Sequence, residues 1–242
     1  MDSLTIDQVF HGMDSVEAGR AREQLTLLRR AETEDEATDA VHALHEIVCY
    51  SAVTVEEETV PTVQALYLLL AVEGFRWRQF VMQLLETIIC VDGVARGESP
   101  LKARVRAAVV AGVPLVEAMS FDEDRDVKGA AILLLAQTSS DRLADFRRFS
   151  SAFVEERDPV LKADFAHAAA VCAWDEDRSV GVAVATDWSK RAMGDANPAV
   201  GFRVGQYLLE RGIELEGVNV QEIVDASLPR VLARRLFRME YM

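Results

Sequence analysis

The sequence predicts an all-α protein, built as an α-α superhelix of stacked antiparallel helix pairs. Three observations carry this. Apolar residues recur at three- and four-residue spacing along nearly the whole chain. Turn signals interrupt them roughly every 15 to 20 residues, and no stretch reads firmly as sheet. One opening also recurs: Asp124-Arg125-Asp126-Val127-Lys128, then Asp158-Pro159-Val160-Leu161-Lys162, then Asn197-Pro198-Ala199-Val200, at separations of 34 and 39 residues. A unit of that length is a helix pair that cannot bury its apolar face alone, so stacking supplies the core.

The elements follow in order. Asp14 reads as the cap of a helix whose Ala18, Ala21, Leu25 and Leu28 share a face. Thr33 and Glu36 form a capping box ahead of the stripe Ala37, Ala40, Val41, Leu44, Ile47 and Val48. Residues 51–59, β-branched and acidic, read as a connection. Pro61 sits where a first helical turn tolerates proline. The helix over 60–72 is apolar nearly all round, so it should be covered on more than one side. Its successor is two-faced, with Phe80, Val81, Leu84, Leu85, Ile88 and Ile89 inward and Gln79, Gln83 and Glu86 outward. Asp92-Gly93 and Gly97-Glu98-Ser99-Pro100 end it and open the next. There Val105, Val109, Val113 and Val116 run through a break at Gly112-Val113-Pro114.

Beyond the 124–136 unit, Leu143, Phe146, Phe149 and Phe153 form one stripe and Leu161, Phe165, Ala169 and Cys172 another. Val180-Gly181-Val182-Ala183-Val184 alternates like a strand. The acids Asp175-Glu176-Asp177 before it and Lys190-Arg191 after it match a helix start and stop, so it reads as helix. Val200, Val204, Tyr207 and Leu208 mark the last repeat helix. The tail from Pro229 puts Arg230, Arg234 and Arg238 on one face, with Val231, Leu232 and Leu236 elsewhere.

With 242 residues and no linker-like segment, the chain reads as a single domain over 1–242. Residues 1–50 serve as acidic N-terminal capping helices, 51–211 as the repeats, and 212–242 as a C-terminal capping helix and basic tail. Net charge is −14, and residues 1–60 hold 14 Asp/Glu against 4 Arg. That concentration repels nucleic acid and anionic membranes, so neither is an expected partner. Cys49, Cys90 and Cys172 are odd in number with no CxxC, which suits a reducing cytoplasm. The start of the chain lacks a signal-peptide pattern, and the apolar run at 65–72 is too short to span a bilayer. A cytoplasmic protein is expected.

The openings at 124–128, Asp158-Pro159 and Asn197-Pro198, together with the break at Pro114, make the chain resemble a HEAT-repeat, or armadillo-type, α-solenoid. More narrowly it is similar to bacterial HEAT-repeat proteins of unassigned function. Thr59-Val60-Pro61-Thr62-Val63 and Ala111-Gly112-Val113-Pro114 match their paired proline-containing elements, over about residues 15 to 210. The resemblance implies the fold.

Several constellations bear on chemistry. His42, His45 and Cys49 lie at i, i+3 and i+7, which puts zinc-type ligands on one side of a helix. No fourth ligand is at hand, so a half-buried histidine is the reading, and no metal or cofactor is expected. His45-Glu46 resembles one of the His-Glu pairs of HEAT-like di-iron hydroxylases, which need several. Trp77, Trp174 and Trp188, with Asp175 or Asp187, offer the aromatic and acidic groups that HEAT-like alkylpurine glycosylases use. The net charge opposes that use, and tryptophans at helix ends commonly pack internally. No GxGxxG, P-loop, GxSxG or HExxH occurs.

Two features suit contact with a protein. Glu56-Glu57-Glu58, beside the acidic first helices, fits a cationic partner. Arg76-Trp77-Arg78 has the residue types that anchor interfaces. The leading expectation is therefore a non-enzymatic module that binds a partner protein on the inner face of a helix stack. An immunity or antitoxin protein masking a basic toxin is one specific form. A metal-dependent or glycosylase-like enzyme, or a small-molecule binder, is the alternative, and a homodimer through the C-terminal helix is a further expectation.

Overall fold

The computed structural model describes residues 5–49, 54–91, 93–175 and 177–234, and among them there are thirteen helices and no strand. Asp92, Glu176, residues 51–53 of the expected connection, Leu236 and Arg238 lie outside the described residues, as does the side chain of Arg234. The helices pack in neighbouring pairs, as the all-α expectation requires. They form two compact units, Met1–Glu123 and Asp124–Met242.

The first unit contains α1 (Ile6–Val9), α2 (Val16–Arg30), α3 (Glu34–Val48), α4 (Thr59–Leu70), α5 (Arg78–Cys90), α6 (Pro100–Ala111) and α7 (Val113–Met119). Ser15, one residue beyond the expected Asp14, caps α2 by accepting from the Ala18 N–H. The Thr33/Glu36 box forms at α3, where two backbone N–H groups hold the Glu36 carboxyl below its ordinary pKa. Alternate helices make a row: α4 packs against both α2 and α6. Their N-terminal ends lie side by side, since Ser15 donates to Glu58 at 2.6 Å and Arg104 of α6 pairs with Glu57 at 2.9 Å. The flanking α3 and α5 pack on each other. Set among five other helices, α4 is buried on most of its circumference, as its composition predicts. Each such Leu or Val contributes about 1.5–3 kcal/mol of burial.

The second unit contains α8 (Arg125–Thr138), α9 (Arg142–Glu155), α10 (Pro159–Ala173), α11 (Val182–Met193), α12 (Pro198–Glu210) and α13 (Val220–Arg234). The repeated opening is now explained. Asp124, Asp158 and Asn197 are the N-caps of α8, α10 and α12, each accepting from N–H groups of the first turn. These three helices form the central row, with α10 packed on α8 and α12. They run parallel, because their caps adjoin. Asn197 Nδ2 donates to the Pro159 carbonyl at 2.6 Å, and Arg125 lies 3.9 Å from Asp158. All three are buried nearly all round, whereas α9 buries chiefly Phe146 and Phe149.

Two boundaries differ from expectation. The segment at 180–184 turns through Gly181, at φ +84, before α11 begins at Val182. The last helix begins at Val220 rather than at Pro229, with Asn219 accepting from the Glu222 N–H. Pro229 sits inside α13 on its exposed side. The carbonyl to which Pro229 has no N–H to donate belongs to Asp225, an exposed residue. The opposite side of α13 packs on α12 over Gly201 and Gly205. A Cβ at Gly205 would stand 2.6 Å from Val224.

Candidate functional site

The acidic turn before α4 is held by Thr59, whose hydroxyl donates to the Val48 carbonyl at 2.7 Å and accepts from the Glu56 N–H at 3.0 Å. One buried threonine thus ties the end of α3 to the start of α4. It fixes where Glu56, Glu57 and Glu58 point. Glu57 is the counter-ion of Arg104. Glu56 and Glu58 instead face a depression of about 490 Å³, together with Glu17 of α2, Glu46 and Ile47 of α3, and Arg20. Four carboxylates meet there with one guanidinium. Sequence reasoning found Glu56 and Glu58, named Glu46 only beside His45 and missed Glu17; the four converge only through the packing of α2, α3 and α4. The sole sequence signal for that convergence is the acid excess of residues 1–60.

Arg76-Trp77-Arg78 has a different surrounding. Trp77 is only 7% exposed, and its indole N–H donates to the Ala31 carbonyl at 2.9 Å, just beyond α2. It also stacks on Phe80, with ring centroids 5.9 Å apart. Arg76 lies over the Trp77 ring and donates to the Glu32 carbonyl. Arg78 pairs with Asp122 at 3.4 Å. The three residues knit the start of α5 to its own unit, and the Trp77 ring leaves little surface for a partner.

His42 is exposed, His45 half-buried and Cys49 fully buried, so the three face different surroundings along α3. Among the described residues no group of three or more His, Cys, Asp or Glu side chains takes up metal-binding geometry. His45 Nδ1 stands 3.9 Å from the Glu46 carboxylate, a single such pair. Of the other tryptophans, Trp174 donates to Ser189 at 3.0 Å, and Asp175 is engaged by the backbone and hydroxyl of Ser179. Asp187 is exposed while Trp188 beside it is buried.

Burial pushes the Cys49 thiol up to about 12 and the Cys172 thiol up to about 11, from an ordinary 9.0. In the unfolded chain both ionise near the ordinary value, so between there and about 11 the folded state binds more protons. The thiols' contribution to stability is therefore fully present below pH 9.0 and is lost as pH rises through this window. Urea midpoints at about pH 8 and about pH 10 should show the drop, and Cys49→Ala with Cys172→Ala should flatten it.

No family model, no curated protein and no solved structure matches the chain. No helix among the described residues is long and apolar enough to cross a membrane.

Proposed function

We propose that the chain is a non-enzymatic interaction module that binds a partner protein on its helix stack, with the acidic depression taking a cationic group of that partner. The observation that carries this is the convergence of Glu17, Glu46, Glu56 and Glu58 on one depression that contains a single arginine. The row of side-by-side helices within each unit supports a HEAT-type reading, since such a row presents contact area without refolding. A cytoplasmic setting goes with it. Masking of a basic toxin is the specific form that the charge favours, because opposite fields raise association rates about 10- to 1000-fold at low salt.

The test is titration with an arginine-rich octapeptide. Glu17→Gln, Glu46→Gln and Glu56→Gln combined should weaken binding tenfold or more, about 1.4 kcal/mol or above. Glu210→Gln, Glu214→Gln and Glu216→Gln combined remove the same charge elsewhere and should leave it nearly unchanged. Equal losses from both triples would reduce the effect to net charge and defeat the proposal. So would binding indifferent to salt between about 0.05 and 0.5 M.

A further inference from the structure

A second depression, of about 460 Å³, lies between α9 and α11 in the second unit. Its floor is Phe153 and Trp188, and Glu155, Arg191 and Asp195 stand at its edge. The floor is rigid. Trp188, 6% exposed, is met edge-on by Phe146 and Phe153, with centroids at 5.8 and 6.2 Å. Lys162 lies over the Phe153 ring at 5.1 Å and pairs with Asp195 at 2.9 Å, which neutralises that carboxylate.

The remaining polar groups are unused. Among the described residues the Trp188 indole N–H meets no acceptor, and the Ser150 Oγ that also lines the cavity is buried with no hydrogen-bond partner. Arg191 and Glu155 are exposed and make no ion pair among those residues. An aromatic floor thus carries an idle indole N–H, an idle hydroxyl, one unneutralised cation and one unneutralised anion. A purely apolar ligand would leave these donors unmet. A doubly charged phosphate would face Glu155 with only one unneutralised cation, Arg191, to balance it. A ligand with one carboxylate, one N–H group and an apolar side chain satisfies every group present.

We infer that this depression binds an aromatic α-amino-acid unit with a free carboxylate. The side chain lies on Phe153 and Trp188. The carboxylate is held by Arg191, with Trp188 and Ser150 as further donors, and the ligand's amine or amide N–H faces Glu155. The volume falls within the usual range of small-ligand sites, about 300–1000 Å³. A free amino acid and the last residue of a polypeptide share this chemistry. The site is separate from the acidic depression, so the arginine-peptide result does not bear on it.

The test is calorimetric titration of the full chain with N-acetyl-L-phenylalanine and with its carboxamide. The acid should bind about tenfold more tightly, since only it can pair with Arg191. Arg191→Gln, at an exposed position, should keep the helical circular dichroism spectrum and abolish that preference. L-Phenylalanine and the tripeptide Gly-Gly-Phe distinguish the sources: tighter binding of the first assigns a free amino acid, and tighter binding of the second a chain end. No binding of any probe, equal binding of acid and amide, or a preference that survives Arg191→Gln would overturn the assignment.

Discussion

Replacing Asp164 with leucine is expected to destabilise the second unit by about 3–5 kcal/mol, and replacing Arg203 with methionine by a similar amount. Asp164 is 1% exposed and Arg203 6%, and they are the acidic and basic side chains among the buried residues described. One lies on α10 and the other on α12, central helices that pack on each other. Their chemistry sets the size of the effect. A charge so far from water persists only where a counter-charge or several donors compensate its lost hydration. Each is expected to be the other's counter-charge, so that removing one leaves the other buried and uncompensated, which costs more than the interaction itself contributes. The double variant should therefore be less destabilised than the two single losses added together, by 1 kcal/mol or more. Urea denaturation of the four proteins in the cycle measures this. Strict additivity would show that each charge is satisfied by other groups. Such a pair would join the helices that carry the second and third copies of the repeated opening.

That opening was legible in the sequence because capping is local chemistry. Asp124, Asp158 and Asn197 accept from N–H groups two or three residues away, so spacing alone reveals them. The Thr33/Glu36 box and the break at Gly112-Val113-Pro114 are legible for the same reason. Features that depend on a distant element were not. Gly201 and Gly205 look like ordinary helix interruptions until α13 is seen resting on them. The start of α13 was obscured by Pro229, which reads as a boundary unless its freed carbonyl partner is known to be exposed. The same divide runs through the sites. The run Glu56-Glu57-Glu58 announces itself, yet Glu57 turns to Arg104 while Glu17 and Glu46 arrive from α2 and α3 to complete the depression. Trp77 has an interface residue's chemistry. Only the position of the Ala31 carbonyl shows that its N–H is already engaged.

Gly112→Ala is expected to destabilise the first unit by about 1–3 kcal/mol, although every local consideration points the other way. Gly112 has φ −90, a conformation alanine adopts freely, and it closes one helix while opening another. Helix propensity alone would reward alanine by up to about 1 kcal/mol. The obstacle is Tyr67 of α4, whose ring lies where a Cβ would go: Cε1 and Cζ would each be 2.1 Å away. The ring is not free to retreat. Its hydroxyl donates to the Val109 carbonyl at 2.7 Å, in the last turn of α6, where the break at Gly112 loosens the helix ladder. Burial raises the Tyr67 phenol pKa, so it remains a donor throughout the neutral range. Tyr67→Phe should cost only the hydrogen bond, about 0.5–1.5 kcal/mol. Tyr67→Ala should cost more on its own, yet in that background Gly112→Ala should become neutral or stabilising, since the clash is gone and the propensity gain remains. This reversal of sign distinguishes steric exclusion from any backbone requirement at Gly112. If alanine there is equally harmful with and without the ring, the contact between Tyr67 and Gly112 does not determine how α6 passes into α7.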